Sequence, residues 1–164
     1  MFSGDKLFGS LQSGIIAGDK EMIQSIKESP LFRTYRCSPL TLFELQETTS
    51  KYVSKKEIEI PLWKMIAMKY EILENRIKTV TKNLEIKHEV VHDYSVMGGG
   101  TLPNKSIASP VIQISELENK DLMSKLMRND IPIIPRTNKN NIIIDLRSTS
   151  EKNDIYIKDF FTNL

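Results

Sequence analysis

The chain has 164 residues, enough for one compact domain or a small domain with part of another. A hydrophobic content of 40% excludes wholesale disorder, and a net charge of +2 from 23 basic and 21 acidic residues excludes a nucleic-acid surface argued from charge alone. One cysteine, Cys37, excludes an intrachain disulfide. No apolar run reaches about 18 residues, so the reading is a soluble, cytoplasmic protein without a membrane span.

The chain opens on a polar turn carrying Asp5 and Lys6, with Gly4 and Gly9 on either side and an apolar strand from Gly14 to Gly18 behind it. Glycines at 4 and 9 allow close backbone approach to a bound group, or positive φ. Lys6 then reads either as a solvated amine or as a Schiff-base lysine holding a carbonyl cofactor. Asp19 caps a short helix with Met22, Ile23 and Ile26 on one face, and Pro30 ends it. Arg33 and Arg36 follow, three residues apart, so one helical turn would place them on the same side. Ser38 and Pro39 start a second helix that runs to about Val53, with Leu42, Leu45, Thr49 and Tyr52 at helical spacing. Residues 51–59 are charged and poorly periodic, as expected of a linker.

Past Pro61 the stripe Ile66, Tyr70, Leu73, Ile77, Val80 and Leu84 predicts one long amphipathic helix. The period then changes. Residues 86–91 predict a strand, 97–103 a glycine-rich loop, and 111–114 a second strand. Asn119 is expected to cap a helix bearing Leu122, Met123, Leu126 and Met127. Residues 131–136 and 141–147 suggest a hairpin, its first arm at a sheet edge because of Pro132 and Pro135. A helix from about residue 152 ends the chain. Strands and helices in this order predict a small α+β domain around an antiparallel sheet.

His88, Glu89 and His92 form H-E-x-x-H, the zincin spacing, which requires a helix to bring both imidazoles to one metal. On the strand predicted here the two histidines would stand about 13 Å apart, so no metal site is expected. Gly98, Gly99 and Gly100 lack the spacing of a phosphate loop. Cys37 lies beside Arg36, but no redox role is assigned to it, and Trp63 reads as core.

The opening stretch, S-G-D-K-L-x-G-x-x-Q-[SA]-G-I-I-x-G, resembles the cofactor-lysine segment of the bacterial selenocysteine synthase family, the L-seryl-tRNA(Sec) selenium transferases. Three further blocks resemble that family in the same order. They are P-L-x-R-x-x-R with L-T-L from Pro30, G-G-G-[SA]-L-P from Gly98, and P-V-I-G-R with L-L-L-D-L-R from Pro132 to Arg147. This chain departs at Ser10 and Leu11, at Cys37, Ser38 and Pro39 where the family has V-D-K, and at Pro135 where it has glycine.

The resemblance implies a pyridoxal-phosphate transferase of the aspartate-aminotransferase-like fold type I. Lys6 would hold the cofactor, Asp5 would orient that lysine, and Arg33 with Arg36 would bind the selenium donor. Residues 1–55 would end the large cofactor-binding domain, and residues 56–164 would form the small domain. Seryl-tRNA(Sec) and selenophosphate are the implied partners, with a homo-oligomeric assembly. The implied upstream half is missing, so this chain is expected to be a truncated piece, inactive alone. A related pyridoxal-phosphate lyase acting on an amino-sugar acid, and a non-catalytic remnant, are the alternatives.

Overall fold

The computed structural model describes residues 1–82, 84–97, 105–117 and 119–164. It divides into two compact units, Met1–Lys64 and Met65–Leu164. The first opens with a two-stranded antiparallel ribbon, β1 (Phe2–Ser3) and β2 (Gly14–Ile15). Helix α1 (Lys20–Glu28) begins where Asp19 Oδ1 accepts the amides of Glu21 and Met22, at 2.9 and 3.3 Å. A 3₁₀ helix spans Pro30–Tyr35. Helix α2 (Pro39–Val53) starts with the Thr41 amide donating to Ser38 Oγ at 3.1 Å; Pro39 sits in the first turn, where its missing N–H leaves no bond unmade. The helix closes through Lys55, whose φ of 56° lets the Lys56 amide reach back to the Lys51 carbonyl at 2.8 Å. Residues 51–59, expected as a linker, therefore carry the end of α2 and a 3₁₀ turn at Glu57–Glu59, inside the first unit.

The single long helix predicted past Pro61 is in fact two, α3 (Pro61–Ala67) and α4 (Tyr70–Val80). The cause lies far along the chain. Arg147 Nη1 donates to the carbonyls of Met65, Ile66 and Met68, at 3.1, 3.3 and 2.8 Å. In a continuous helix those oxygens would each accept an amide four residues on. A guanidinium from the other end of the unit takes them instead, and the backbone turns at Met68 and Lys69.

The second unit carries a four-stranded antiparallel sheet in the order β3 (Glu89–Val96), β4 (Ser106–Ser115), β6 (Asn141–Ile144), β5 (Arg136–Asn138). Strand β3 starts at Glu89 rather than Ile86, and β4 is far longer than the four residues expected. The loop expected at residues 97–103 lies, from residue 98 on, outside the described residues. Pro110 sits within β4 opposite His92, before the β6 pairing begins at Ile112, so its missing N–H breaks no rung on that side. The β5–β6 hairpin turns through Lys139, φ 55°, and β5 is an edge strand as expected; Pro132 and Pro135 precede it rather than lie in it. Helix α5 (Leu122–Arg128) is preceded by Asp121 with a φ of 70°. Asn119 does not cap it: its side-chain amide donates to the Ser115 carbonyl at 3.0 Å, tying the turn back to β4. Helix α6 (Asp154–Thr162) ends the fold.

Alternation puts Ile112 and Ile114 of β4 on one sheet face beside Ile144 and Ile142 of β6, their register partners. That face meets Leu73, Ile77 and Val80 of α4, Leu122 and Leu126 of α5, and Ile157 and Phe161 of α6, all buried. Each such side chain contributes roughly 1.5–3 kcal/mol by leaving water. Beside this core Arg76 of α4 is 8% exposed and grips Asp154 with two bonds, Nε–Oδ2 at 2.9 Å and Nη2–Oδ1 at 2.7 Å. Its remaining donors reach Leu146 O at 3.0 Å and Thr149 Oγ1 at 3.2 Å. Removing one partner of such a pair leaves a buried charge exposed to its desolvation penalty. Asp154→Ala should therefore destabilise the unit by about 3 kcal/mol, seen as a lower urea midpoint. Lys78→Ala, which breaks only the exposed pair with Glu74 at 3.5 Å, should leave that midpoint unchanged.

Candidate functional site

Lys6 and Asp5 are exposed on a turn whose two glycines are sterically fixed. The Gly4 amide donates to Ser13 O at 2.9 Å, the Ser10 amide to Gly4 O at 2.8 Å, and the Gly9 amide to Lys6 O at 2.9 Å. A Cβ on Gly4 would stand 2.3 Å from Ser13 Oγ and 2.7 Å from Leu11 O. One on Gly9 would stand 2.6 Å from Ile60 Cγ2, and Gly9 has a φ of 75°. The expectation of glycines for close approach or positive φ holds, the close neighbours being Ser13, Leu11 and Ile60.

The turn is also held from α2. Tyr52 Oη donates to Phe8 O at 2.9 Å and accepts the Trp63 indole N–H at 2.6 Å, while the Phe8 and Tyr52 rings stack at 5.1 Å. Trp63, expected as core, is half-buried and acts through its N–H. Sequence reasoning missed this relay. Its signal was two amphipathic aromatics, Tyr52 and Trp63, standing at either end of the stretch read as a linker.

Arg33 lies within the 3₁₀ helix and Arg36 caps its end, with the Arg36 amide donating to Arg33 O at 3.4 Å. Both side chains are exposed, and neither guanidinium makes a hydrogen bond or ion pair among the described residues. The backbone turns extended at Arg36 (φ −65°, ψ 122°), so the pair is adjacent without sharing a regular α-helical face. The Lys6 and Arg33/Arg36 pairs stand on separate elements of the first unit. Cys37 is half-buried, and the departure at Ser38 and Pro39 is accounted for locally, since these residues start α2.

The second unit holds a polar cluster that received no role from sequence. Asp145 accepts bonds from Ser95 Oγ, from Ser109 Oγ at 2.9 Å and from the Arg147 amide at 3.0 Å, with Arg136 Nη2 at 3.7 Å. Arg136 also pairs with Asp93 at 2.8 Å. The cluster borders a cavity of about 430 Å³ walled by Tyr94, Ile131, Ile134 and Tyr156. Burial lowers the Arg147 pKa from its ordinary value, and the Asp145 carboxylate opposes that shift. Chemically, Asp145 has its acceptors filled and serves to hold strands and Arg147 together. The signal was the D-L-R block itself.

His88 precedes β3, with Nδ1 2.8 Å from Ile86 O, and Glu89 and His92 lie inside the strand. His92 instead packs between the rings of Tyr70 and Tyr94, at 5.6 and 5.2 Å. The helix that a zincin needs is not formed at this motif. Among the described residues no group of three or more His, Cys, Asp or Glu side chains is placed to hold a metal ion, nor is any helix long and apolar enough to cross a membrane.

The family model of L-seryl-tRNA selenium transferase matches residues 1–150. The chain belongs to the L-seryl-tRNA selenium transferase family. Similar relatives include the L-seryl-tRNA(Sec) selenium transferase of Aliarcobacter butzleri, 38% identical over an alignment of 169 positions that covers 99% of this chain and 37% of the relative. That of Campylobacter lari is 36% identical over 92% of this chain and 33% of its own. That of Alkaliphilus oremlandii is 34% identical over 97% and 36%. The chain thus spans about a third of the length of the curated selenium transferases it matches.

Two outcomes follow from this geometry. Gly9→Ala should strain a left-handed position by about 1–2 kcal/mol and push Ile60 aside, shifting the emission of Trp63, the sole tryptophan, to the red. Gly14→Ala, with nothing within 4 Å, should leave the emission unchanged. Metal analysis of the purified protein should find no stoichiometric zinc, and one zinc per chain lost on His92→Ala would contradict the strand assignment.

Proposed function

We propose that this chain supplies the lysine-bearing end of the large domain, and the small domain, of a fold-type-I selenium transferase that converts seryl-tRNA(Sec) to selenocysteyl-tRNA(Sec). The observation that carries the reading is the Lys6 turn, where an exposed amine stands on a backbone that admits no Cβ at Gly4 or Gly9 and is tied to Tyr52 and Trp63. Family membership supports it.

These residues fit the aldehyde end of pyridoxal phosphate: a lysine amine on a rigid, accessible turn is the donor such a group requires. They do not supply a grip for its phosphate, which would come from the rest of the enzyme. When bound, the cofactor supplies an electron sink for loss of the seryl Cα proton and β-hydroxyl. Lys6 Nζ would hold the cofactor, and the same amine would take up the proton that leaves the seryl Cα. Asp5, its neighbour in the turn, orients that amine. Arg33 and Arg36 grip the anionic selenium donor, selenophosphate, because a planar fork of N–H donors suits an oxyanion. Among the described residues neither guanidinium has a partner, which leaves both forks available for that role.

The test places this chain in the Aliarcobacter butzleri relative, in exchange for the matching stretch. Lys6→Ala should abolish specific cofactor loading. Arg33→Ala or Arg36→Ala should lower turnover with selenophosphate roughly ten- to a hundredfold with cofactor loading unchanged, and lysine at either position should restore only part. Turnover equal to the parent in both alanine variants would make these arginines structural.

A further inference from the structure

The cavity beside the Asp145 cluster lies wholly within Met65–Leu164 and has no part in the role given to Lys6. Its volume of about 430 Å³ falls within the roughly 300–1,000 Å³ of small-molecule pockets. Tyr94, Ile131, Ile134 and Tyr156 stand between 42% and 72% exposed around it. Single exposed hydrophobics are ordinary on any protein; four large ones gathered around one hollow are a binding feature. Among the described residues one cation lines it, Arg136. Its Nη2 meets both Asp93 Oδ2, at 2.8 Å, and Asp145 Oδ2, at 3.7 Å, and its side chain is 42% exposed. Arginine carries its N–H donors in a planar fork, so an edge of that fork stays open to a ligand. The Tyr94 and Tyr156 hydroxyls and the Asn153 side-chain amide likewise have no hydrogen bond among the described residues.

Charge selects the ligand. Two carboxylates already share one guanidinium, so the cluster is net negative. A carboxylate or phosphate brought to Arg136 would meet Asp93 and Asp145 as well, and like charges at that range repel. What suits the open fork is an uncharged pair of acceptors on a flat, largely apolar body. Guanine is such a body: O6 and N7 are adjacent acceptors that an arginine fork bonds together, and its faces stack on tyrosine. Adenine puts an amino donor at the same edge, where it meets the fork donor to donor. We propose that this cavity is a binding site for a guanine base, with Arg136 on the O6–N7 edge and the tyrosine rings as stacking surface. No second cation among the described lining residues is there to hold a phosphate chain. The ligand is therefore a guanine nucleoside, free in solution or unpaired in an RNA strand.

The test follows the methyl resonances of Ile131 and Ile134 in the full chain, without cofactor. Guanosine and inosine, which share O6 and N7, should shift them saturably, and adenosine should bind roughly tenfold more weakly or worse. Arg136→Lys keeps the charge beside Asp93 but not the fork, and should erase the preference for guanosine over adenosine. Tyr94→Leu should weaken both nucleosides alike. Unchanged methyl resonances of Ile112 and Ile142, in the core, show that each variant is folded. Uridine-rich RNA strands carrying one guanine or one adenine separate the two sources. A guanine strand that binds more tightly than guanosine assigns the site to RNA; guanosine binding without it assigns the site to the free nucleoside. Adenosine binding as tightly as guanosine would overturn the proposal. So would the lack of a saturable shift with both guanosine and the guanine strand, or displacement of guanosine by the carboxylate indole-3-acetate. The readout needs neither cofactor nor a reactive lysine, so it stands or falls apart from the role of Lys6.

Discussion

The guanidinium of Arg147 is the interaction on which the second unit depends. Its Nη1 takes three carbonyls at the end of α3 and its Nη2 donates to Ala108 O at 2.8 Å, so one planar group joins a helix terminus to the central strand β4. Asp145 holds the same segment from the other side, gathering Ser95 of β3 and Ser109 of β4. Between them Leu146 is fully buried in the core, and its carbonyl accepts from Arg76. Three consecutive residues thus reach two strands, two helices and the hydrophobic core. A lysine could not stand in for Arg147, since a single ammonium lacks the fork that reaches α3 and β4 together.

The first unit is organised on a different principle. Its fixed point is a turn rather than a core, and the turn is specified by what cannot be added to it. Gly4 and Gly9 are held against Ser13, Leu11 and Ile60, and Tyr52 reaches across from α2 to the carbonyls of Leu7 and Phe8. Such a scaffold defines the position of one amine closely while contributing little burial, which suits a piece that works against another surface.

How much of this was legible in the sequence follows from the range of each interaction. The caps of α1 and α2 were readable because Asp19 and Ser38 act on amides two and three residues away. The hairpin into β6 was readable from its polar turn, and β5 is the expected edge strand although the prolines that suggested it precede it. The break between α3 and α4 was not, because the stripe from Ile66 to Val80 keeps helical period and the residue that interrupts it lies at position 147. Asn119 was misread for a similar reason: its side chain serves a turn back to β4 rather than the helix ahead. At the candidate site, Lys6 and its glycines were visible as letters, whereas the Tyr52–Trp63 relay depends on a contact spanning 44 residues. The Asp145 cluster shows in the sequence only as the D-L-R block, because its partners come from separate strands far along the chain.

The distant origin of the α3–α4 break has a consequence in time. On the ribosome the chain emerges from its N-terminus, so the segment from Pro61 to Val80 leaves the exit tunnel well before Arg147 is made. Until then the carbonyls of Met65, Ile66 and Met68 have only their own helix to bond to, and the uninterrupted stripe favours a straight rod. The bend is therefore imposed late, by an arginine arriving with the last strand, and nascent chains halted before position 147 hold this stretch in a shape the finished protein does not keep.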